Sequence, residues 1–403
     1  MKEMGKKTEQ MTRDQFTWLI YLMLGYYSYL LNGLGPVIPF LRTELRMSYT
    51  LSSVHFSAFA IGMLLAGLGT DRVVQRFGRH WTFWNGALGM VGGTLFLLLG
   101  SHPILTISGA LLMGTIGSLL LVTIPAALSE RYGEHRAIAL SEANVVGSLC
   151  GGLAPVAVGF FVRINLGWRG ALVVAILAAL LLRIFFQHIP FPEPTTSSSQ
   201  QSYARMKLPG IYWFYWSLLV LAVSVEFCII FWSTTFLEMV RHLPRSDAAF
   251  IMSLFLGAMV VGRLIGSRLS HHVQGQELVL GSVGISVVGF LIHWWATPTL
   301  LTMSGLFLAG IGVANLYPQI LALAIGITHQ TDVASARASL ASGLAILLLP
   351  LLLGGLADQI GIGYAYGLVV ILLLLVGIGI VLVRYYQTNV ILTGLYEEKF
   401  RSP

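Results

Sequence analysis

The chain has 403 residues, of which 56% are hydrophobic and only 10% charged, and its mean hydropathy is +0.79. A soluble domain carries about a quarter charged residues, so a surface hydrated on all sides is excluded and the composition is that of an integral membrane protein. The formal net charge of +7 then reads as a topology signal with no nucleic-acid role, and the absence of strand-like alternation argues against a β-barrel.

Taken in chain order, the polar and basic N-terminus through Arg13 shows no cleavable signal core. An apolar helix of about 20 residues crosses the hydrocarbon layer. The sequence predicts twelve such spans, the first six at 17–40, 48–70, 81–100, 103–129, 137–162 and 167–187. A polar linker rich in Pro, Ser and Gln follows at 188–207, and six further spans lie at 211–237, 246–270, 277–296, 299–327, 334–357 and 360–383. Segment 246–270 is the least clean, because Arg263 and Arg268 fall in its last two turns. The expected organisation is an N-terminal six-helix bundle (1–187), a cytoplasmic linker (188–207), a C-terminal six-helix bundle (208–387) and a cytoplasmic tail (388–403) whose Leu392, Leu395, Tyr396 and Phe400 suit an interfacial helix.

With both termini in the cytoplasm, the positive-inside rule is met by 18 of the 24 Lys and Arg residues; only Arg42, Arg46, Arg163, Arg169, Arg241 and Arg245 fall outside. The halves also resemble each other in outline. Pro155 and Gly159 precede Gly167-Trp168 in one, and Pro350 and Gly354 precede Gly363-Tyr364 in the other. A weak repeat of this kind is expected of carriers built from two six-helix halves with a site near the midplane. Cys150 and Cys228 lie within apolar spans, with no CxxC or histidine spacing, and read as packing residues.

Polar residues inside spans are costly and mark cavities or functional positions. Glu226, near the centre of the seventh span, is the leading candidate for a proton-coupling acid or a substrate anchor. Tyr27 and Asn32 in the first span, Trp232 in the seventh, and Asn315, Tyr317 and Gln319 in the tenth are candidates for the wall of a binding cavity. Pro318 interrupts the tenth helix between two of them and frees backbone carbonyls. Glu142 in the fifth span and Arg337 in the eleventh occupy related positions in the two halves, so they are expected to gate the interface as a latch. His55 reads as a hydrogen-bonded structural histidine. No HExxH, GxSxG or Walker pattern is present, and no loop is long enough for a catalytic domain, so no enzyme activity, cofactor or metal is expected.

Between the second and third spans stands Gly67-Leu68-Gly69-Thr70-Asp71-Arg72, followed by Arg76-Phe77-Gly78-Arg79-His80, expected to form a short loop at the bilayer surface. Its first half matches, and its second half matches four residues late, the loop signature of the major facilitator superfamily. The twelve spans and the 6+6 division extend that resemblance over the whole chain. It implies an all-α membrane fold of two pseudo-symmetric six-helix bundles, with Asp71, Arg72 and Arg79 stabilising one conformational state. A narrower resemblance, to the fucose–galactose–gluconate proton symporters, rests on Glu226 with Trp232 six residues later, on Gly312 through Pro318, and on Gly355-Leu356-Ala357-Asp358. It implies alternating-access symport of a small, sugar-like polar solute with protons, by a monomer in the cytoplasmic membrane. The alternative in the same fold is proton-driven efflux of lipophilic or cationic compounds; a membrane receptor or scaffold comes third.

Overall fold

The computed structural model describes residues 13–192, 208–270, 272–328 and 331–401, so the linker expected at 188–207 lies outside the described residues from 193 onward, as do the side chains of the tail from 388. The described residues form twelve long helices, six on each side of the linker. In the first half they are α1 (Gln15–Glu44), α2 (Tyr49–Phe77), α3 (Arg79–Leu99), α4 (Pro103–Tyr132), α5 (Arg136–Arg163) and α6 (Arg169–Phe186). The second half comprises α7 (Gly210–Met239), α8 (Arg245–Leu269), α9 (Gly275–Trp295), α10 (Thr299–Gly326), α11 (Thr331–Ile360) and α12 (Leu368–Arg401), with a one-turn helix at Ile362–Ala365 before α12. The molecule is an all-α multi-pass membrane protein.

Eleven of these helices are long and apolar enough to cross a membrane. The one left out, α1, is not short: its 30 residues reach about 45 Å at 1.5 Å per residue. Tyr26, Tyr27, Tyr29 and Asn32 dilute its apolar character, and two of them, Tyr27 and Asn32, are residues the sequence marks as candidates for a cavity wall.

Helix ends follow local chemistry. The Asp14 side chain accepts from the Thr17 N–H at 3.0 Å and starts α1, and Ser48 does the same for α2 through Leu51. Pro103 opens α4 at a position that needs no donor. Midway, α4 widens into a π turn over Met113–Gly117 before continuing through Pro125.

The stretch 67–80 corrects one expectation. Asp71, Arg72 and Arg76 are not in a loop but in the last turns of α2, which runs to Phe77. No Pro or Gly interrupts 70–77, so the helix persists until Gly78, whose φ of 82° suits a residue without a Cβ. The connection is therefore that single glycine, and α3 begins at Arg79. The four-residue displacement of the motif corresponds to one extra turn of α2.

We call the end where α1 begins and α6 finishes the proximal end, and the other the distal end. The halves meet along α2 with α11, α5 with α8, and α1 with α7. Apolar burial gives little drive for association in lipid, so close approach at small residues carries it. The tightest case is Gly35 on α1, where an added Cβ would stand 2.3 Å from the Ile230 carbonyl oxygen of α7.

Candidate functional site

Contacts between the halves form a distal seal. The Asp358 carboxylate at the end of α11 accepts from the N–H groups of Tyr49 and Thr50 at 2.8 Å each and from the Thr50 hydroxyl at 2.5 Å, so one half caps a helix of the other. Below it Phe56 of α2 stacks on Phe231 of α7 with centroids 3.8 Å apart, and Trp232 lies edge-on to Phe56. The Ser57 hydroxyl donates to the Leu347 carbonyl at 2.8 Å. Arg245 donates to Thr43 of α1 at 2.8 Å and to Glu238 at 2.5 Å.

Proximal to this seal the halves separate around a cavity of about 470 Å³. Its wall takes Met63 and Leu64 from α2, Ser118 and Val122 from α4, Tyr317 from α10 and Ser342 from α11. Leu64 closes its distal side by packing on Gly343, where an added Cβ would stand 2.4 Å away. An apolar wall with a few hydroxyls is the usual make-up of a small-molecule site.

Glu226 approaches this region from α7. Its side chain is 19% exposed, with Oε1 4.0 Å from Nη2 of Arg263 on α8. Arg263 is 44% exposed, and its Nη1 donates to Ser148 on α5 at 2.8 Å. Glu226 also lies close enough to Tyr317 to act on it electrostatically, and Ser342 is in hydrogen-bonding reach of that tyrosine. A carboxyl, a guanidinium and three hydroxyls from α5, α7, α8, α10 and α11 thus converge between the halves.

The other residues singled out in the sequence lie elsewhere. Tyr27 is buried behind the cavity wall, bonded to Ser118 at 2.8 Å. Asn32 donates to the Ser28 carbonyl at 2.9 Å and packs over Gly151 of α5. Trp232 is fully buried in the distal seal, where Nε1 donates to the Pro350 carbonyl at 3.2 Å. Asn315 is 6% exposed, and its amide donates to the Gly262 carbonyl at 3.1 Å, holding α10 against α8. Gln319 is partly buried on α10 beyond the exposed Pro318 and is not part of the cavity wall.

The gating candidates also separate. Glu142 accepts from Arg13 at 2.9 and 2.5 Å and from the Tyr21 hydroxyl at 2.9 Å, all within the first half. Arg337 stays in the second half, its guanidinium 5.4 Å from the Trp213 ring, so the expected latch partners do not meet here. Arg79, 7% exposed, pairs with Glu130 of α4 and donates to the Pro192 carbonyl at 3.0 Å, while Asp71 and Arg72 are exposed at the proximal end of α2. His55 is buried with both ring nitrogens bonded, to Thr106 at 2.8 Å and to the Ser52 carbonyl at 3.1 Å. Sequence reasoning did not assign Arg263 to the site, although a charged residue inside an apolar span is itself a signal of function.

Comparison with known proteins places this architecture. Over residues 17–331 the chain matches the family model described as Major Facilitator Superfamily. It is 25% identical over 350 residues to the uncharacterized transporter YycB of Bacillus subtilis (strain 168), covering 82% of this chain and 83% of that one. It is also 25% identical over 225 residues to the multidrug resistance protein MdtL of Escherichia coli O127:H6, covering 55% of this chain and 57% of MdtL. A match of 30% identity to an uncharacterized MFS-type transporter of Yersinia pestis spans only 87 residues, 23% of that protein. Among solved structures, the fold is similar to that of a bacterial homologue of the human lysosomal transporter Spinster in an inward-facing and occupied conformation, with a TM-score of 0.77 at 14% identity, covering 91% of this chain and 96% of that one. A D-xylose–proton symporter gives a TM-score of 0.72 at 14% identity, covering 90% and 96% of the two chains. The chain belongs to the Major Facilitator Superfamily of transporters.

Proposed function

We propose that the protein is a secondary carrier that moves a small, polar, sugar-like organic solute across the cytoplasmic membrane by alternating access, with a proton taken up and released at Glu226. The observation that carries this reading is the asymmetry between the two ends. The seal from Asp358 to Trp232 closes the distal end, while a cavity sits between the halves on the proximal side of it. A carrier caught facing one compartment has that form, and the proximal end is then the cytoplasmic one. Glu226 beside Tyr317 supplies a protonatable group at the depth where the halves separate. In this reading a monomer suffices, because both halves of the site belong to one chain.

The similarity to MdtL, which is named as a multidrug resistance protein, favours a second reading. In it, the same carboxyl exchanges protons for a lipophilic cation leaving the cell. A non-transporting receptor or scaffold has less support, since it has no use for a hydroxyl-lined cavity between the halves and a charge pair within the spans. Purified protein in proteoliposomes under an imposed pH gradient, screened with sugars and with cationic dyes, separates these. Sugar uptake supports the first reading and dye extrusion the second, and movement of no solute by a folded protein contradicts both.

A further inference from the structure

Arg263 is not needed for alternating access as such, yet it reaches from α8 to the other half at Ser148. Its guanidinium stays charged in every state, since arginine does not lose its proton in proteins. A permanent charge inside the apolar span Arg245–Leu269 is costly unless it has a partner or a task. The partners present satisfy it in part. One nitrogen donates to Ser148 at 2.8 Å. The other lies 4.0 Å from Glu226, beyond the ~3.2 Å limit of an N–H···O hydrogen bond and too near for a water to bridge. The two charges attract each other without closing the two-pronged contact that guanidinium and carboxylate make when paired. With 44% of its side chain exposed, the guanidinium still presents donors to whatever enters between α5, α7 and α8.

We propose that Arg263, with Ser148, is the recognition group for a carboxylate on the cargo, so that the solute is a small organic monoanion. This rests on the carrier reading above and narrows its substrate class. The charge balance supplies the coupling. With the site empty, Arg263 is neutralised by ionised Glu226. A cargo carboxylate at Arg263 then stands beside the Glu226 carboxylate, and two like charges at that separation disfavour joint ionisation. Glu226 therefore takes a proton from the distal water as the anion binds. When the anion leaves toward the proximal side, Glu226 releases that proton there and faces Arg263 again. One proton moves per anion, and the site carries the same net charge loaded and empty. The charged group acting on Glu226 is Arg263 from α8, and Glu226 in turn acts on Tyr317 from α10. Among the described residues, the neighbouring helices α1 and α11 bring no ion-pair partner to it. A single arginine suits a monoanion; a phosphate dianion calls for a second cation.

The test uses the full chain in proteoliposomes with radiolabelled lactate, gluconate and benzoate, set against glycerol, glucose and benzyl alcohol. The expected result is carboxylate accumulation driven by a pH gradient, insensitive to a clamped membrane potential, with the neutral compounds left behind. Arg263→Gln is expected to lower that uptake more than about tenfold, and Arg263→Lys to retain part of it. Thermal shift in detergent gives a second readout: the same carboxylates raise the melting temperature of the wild type more at mildly acidic than at neutral pH, and do not raise that of a folded Arg263→Gln variant. Carboxylate uptake undiminished in Arg263→Gln overturns the assignment. Uptake of glucose that needs Glu226 but ignores Arg263 also overturns it, and leaves the carrier reading standing. Movement of neither class by folded protein overturns both.

Discussion

Asp358 reaches across the two halves to cap α2 through Thr50, with its Oδ2 accepting from both the Thr50 N–H at 2.8 Å and the hydroxyl at 2.5 Å. A carboxylate at a helix N-terminus satisfies orphan donors and meets the positive end of the helix dipole. Since the cap and the helix lie on different halves, this contact exists only while the distal end is closed.

Replacing Asp358 with Asn keeps the shape and removes the charge. Loss of a negative charge at a helix N-terminus costs about 0.3–1 kcal/mol, a factor of up to about five in the ratio of distally closed to distally open molecules. Distances between spin labels at Leu166 and Trp295, both exposed at the distal end, measure that ratio by pulsed electron resonance. A larger long-distance population is expected in Asp358→Asn, and an unchanged distribution contradicts a latch role.

Gly35 makes a second prediction at the same seal. An added Cβ there collides with backbone, at 2.3 Å from the Ile230 oxygen, and backbone cannot rotate away as a side chain can. Gly35→Ala is expected to widen the distal label distances without unfolding the protein. Identical distances in the variant and wild type mean that α1 and α7 do not bear on distal closure.

Arg72 and Arg79 belong to one motif in the sequence but differ physically. Arg79 is buried against Glu130, and removing one member of a buried pair costs about 3–5 kcal/mol. Arg72 is exposed, where substitutions stay within about 0.5 kcal/mol. Melting in detergent is expected to drop markedly for Arg79→Ala and hardly at all for Arg72→Ala. Equal effects contradict the assignment of Arg79 to the α3–α4 pair.

Glu44, just past the apolar part of α1, gives a pH dependence. Partial burial pushes its carboxyl up, but hydrogen bonds from Arg169 and Trp168 and the charge of Arg169 outweigh this and hold it below the usual carboxylate range. A carboxyl depressed in the folded state contributes stability above its unfolded value of about 4.3 and loses it as the pH falls through the folded value. The pair is exposed, at 41% and 39%, so the effect is small. Wild type is expected to lose melting temperature on acidification below that range more steeply than Glu44→Gln; parallel curves contradict the pairing.

Span count and fold class were legible because apolar length and charge placement are local properties of a sequence. The extra turn of α2 was less legible, since the family motif suggested a loop where the composition of 70–77 contains no helix breaker. Glu226 was readable as a costly buried acid, whereas its approach to Arg263 depends on the rotation of α7 against α8. Trp232 and Asn315 show the opposite limit. Residue type and depth fit a cavity wall equally well, but packing puts one in the distal seal and the other against the α8 backbone. The Asp358 cap joins residues 308 positions apart, which no local pattern reports.

The central claim is that Glu226 couples proton movement to transport, and solute accumulation in proteoliposomes under a pH gradient, wild type against Glu226→Gln, tests it most directly. The account predicts that Glu226→Gln loses gradient-driven accumulation by more than about tenfold while still exchanging labelled for unlabelled solute, because amide and neutral carboxyl have nearly the same shape. Accumulation by Glu226→Gln at the wild-type level would contradict it.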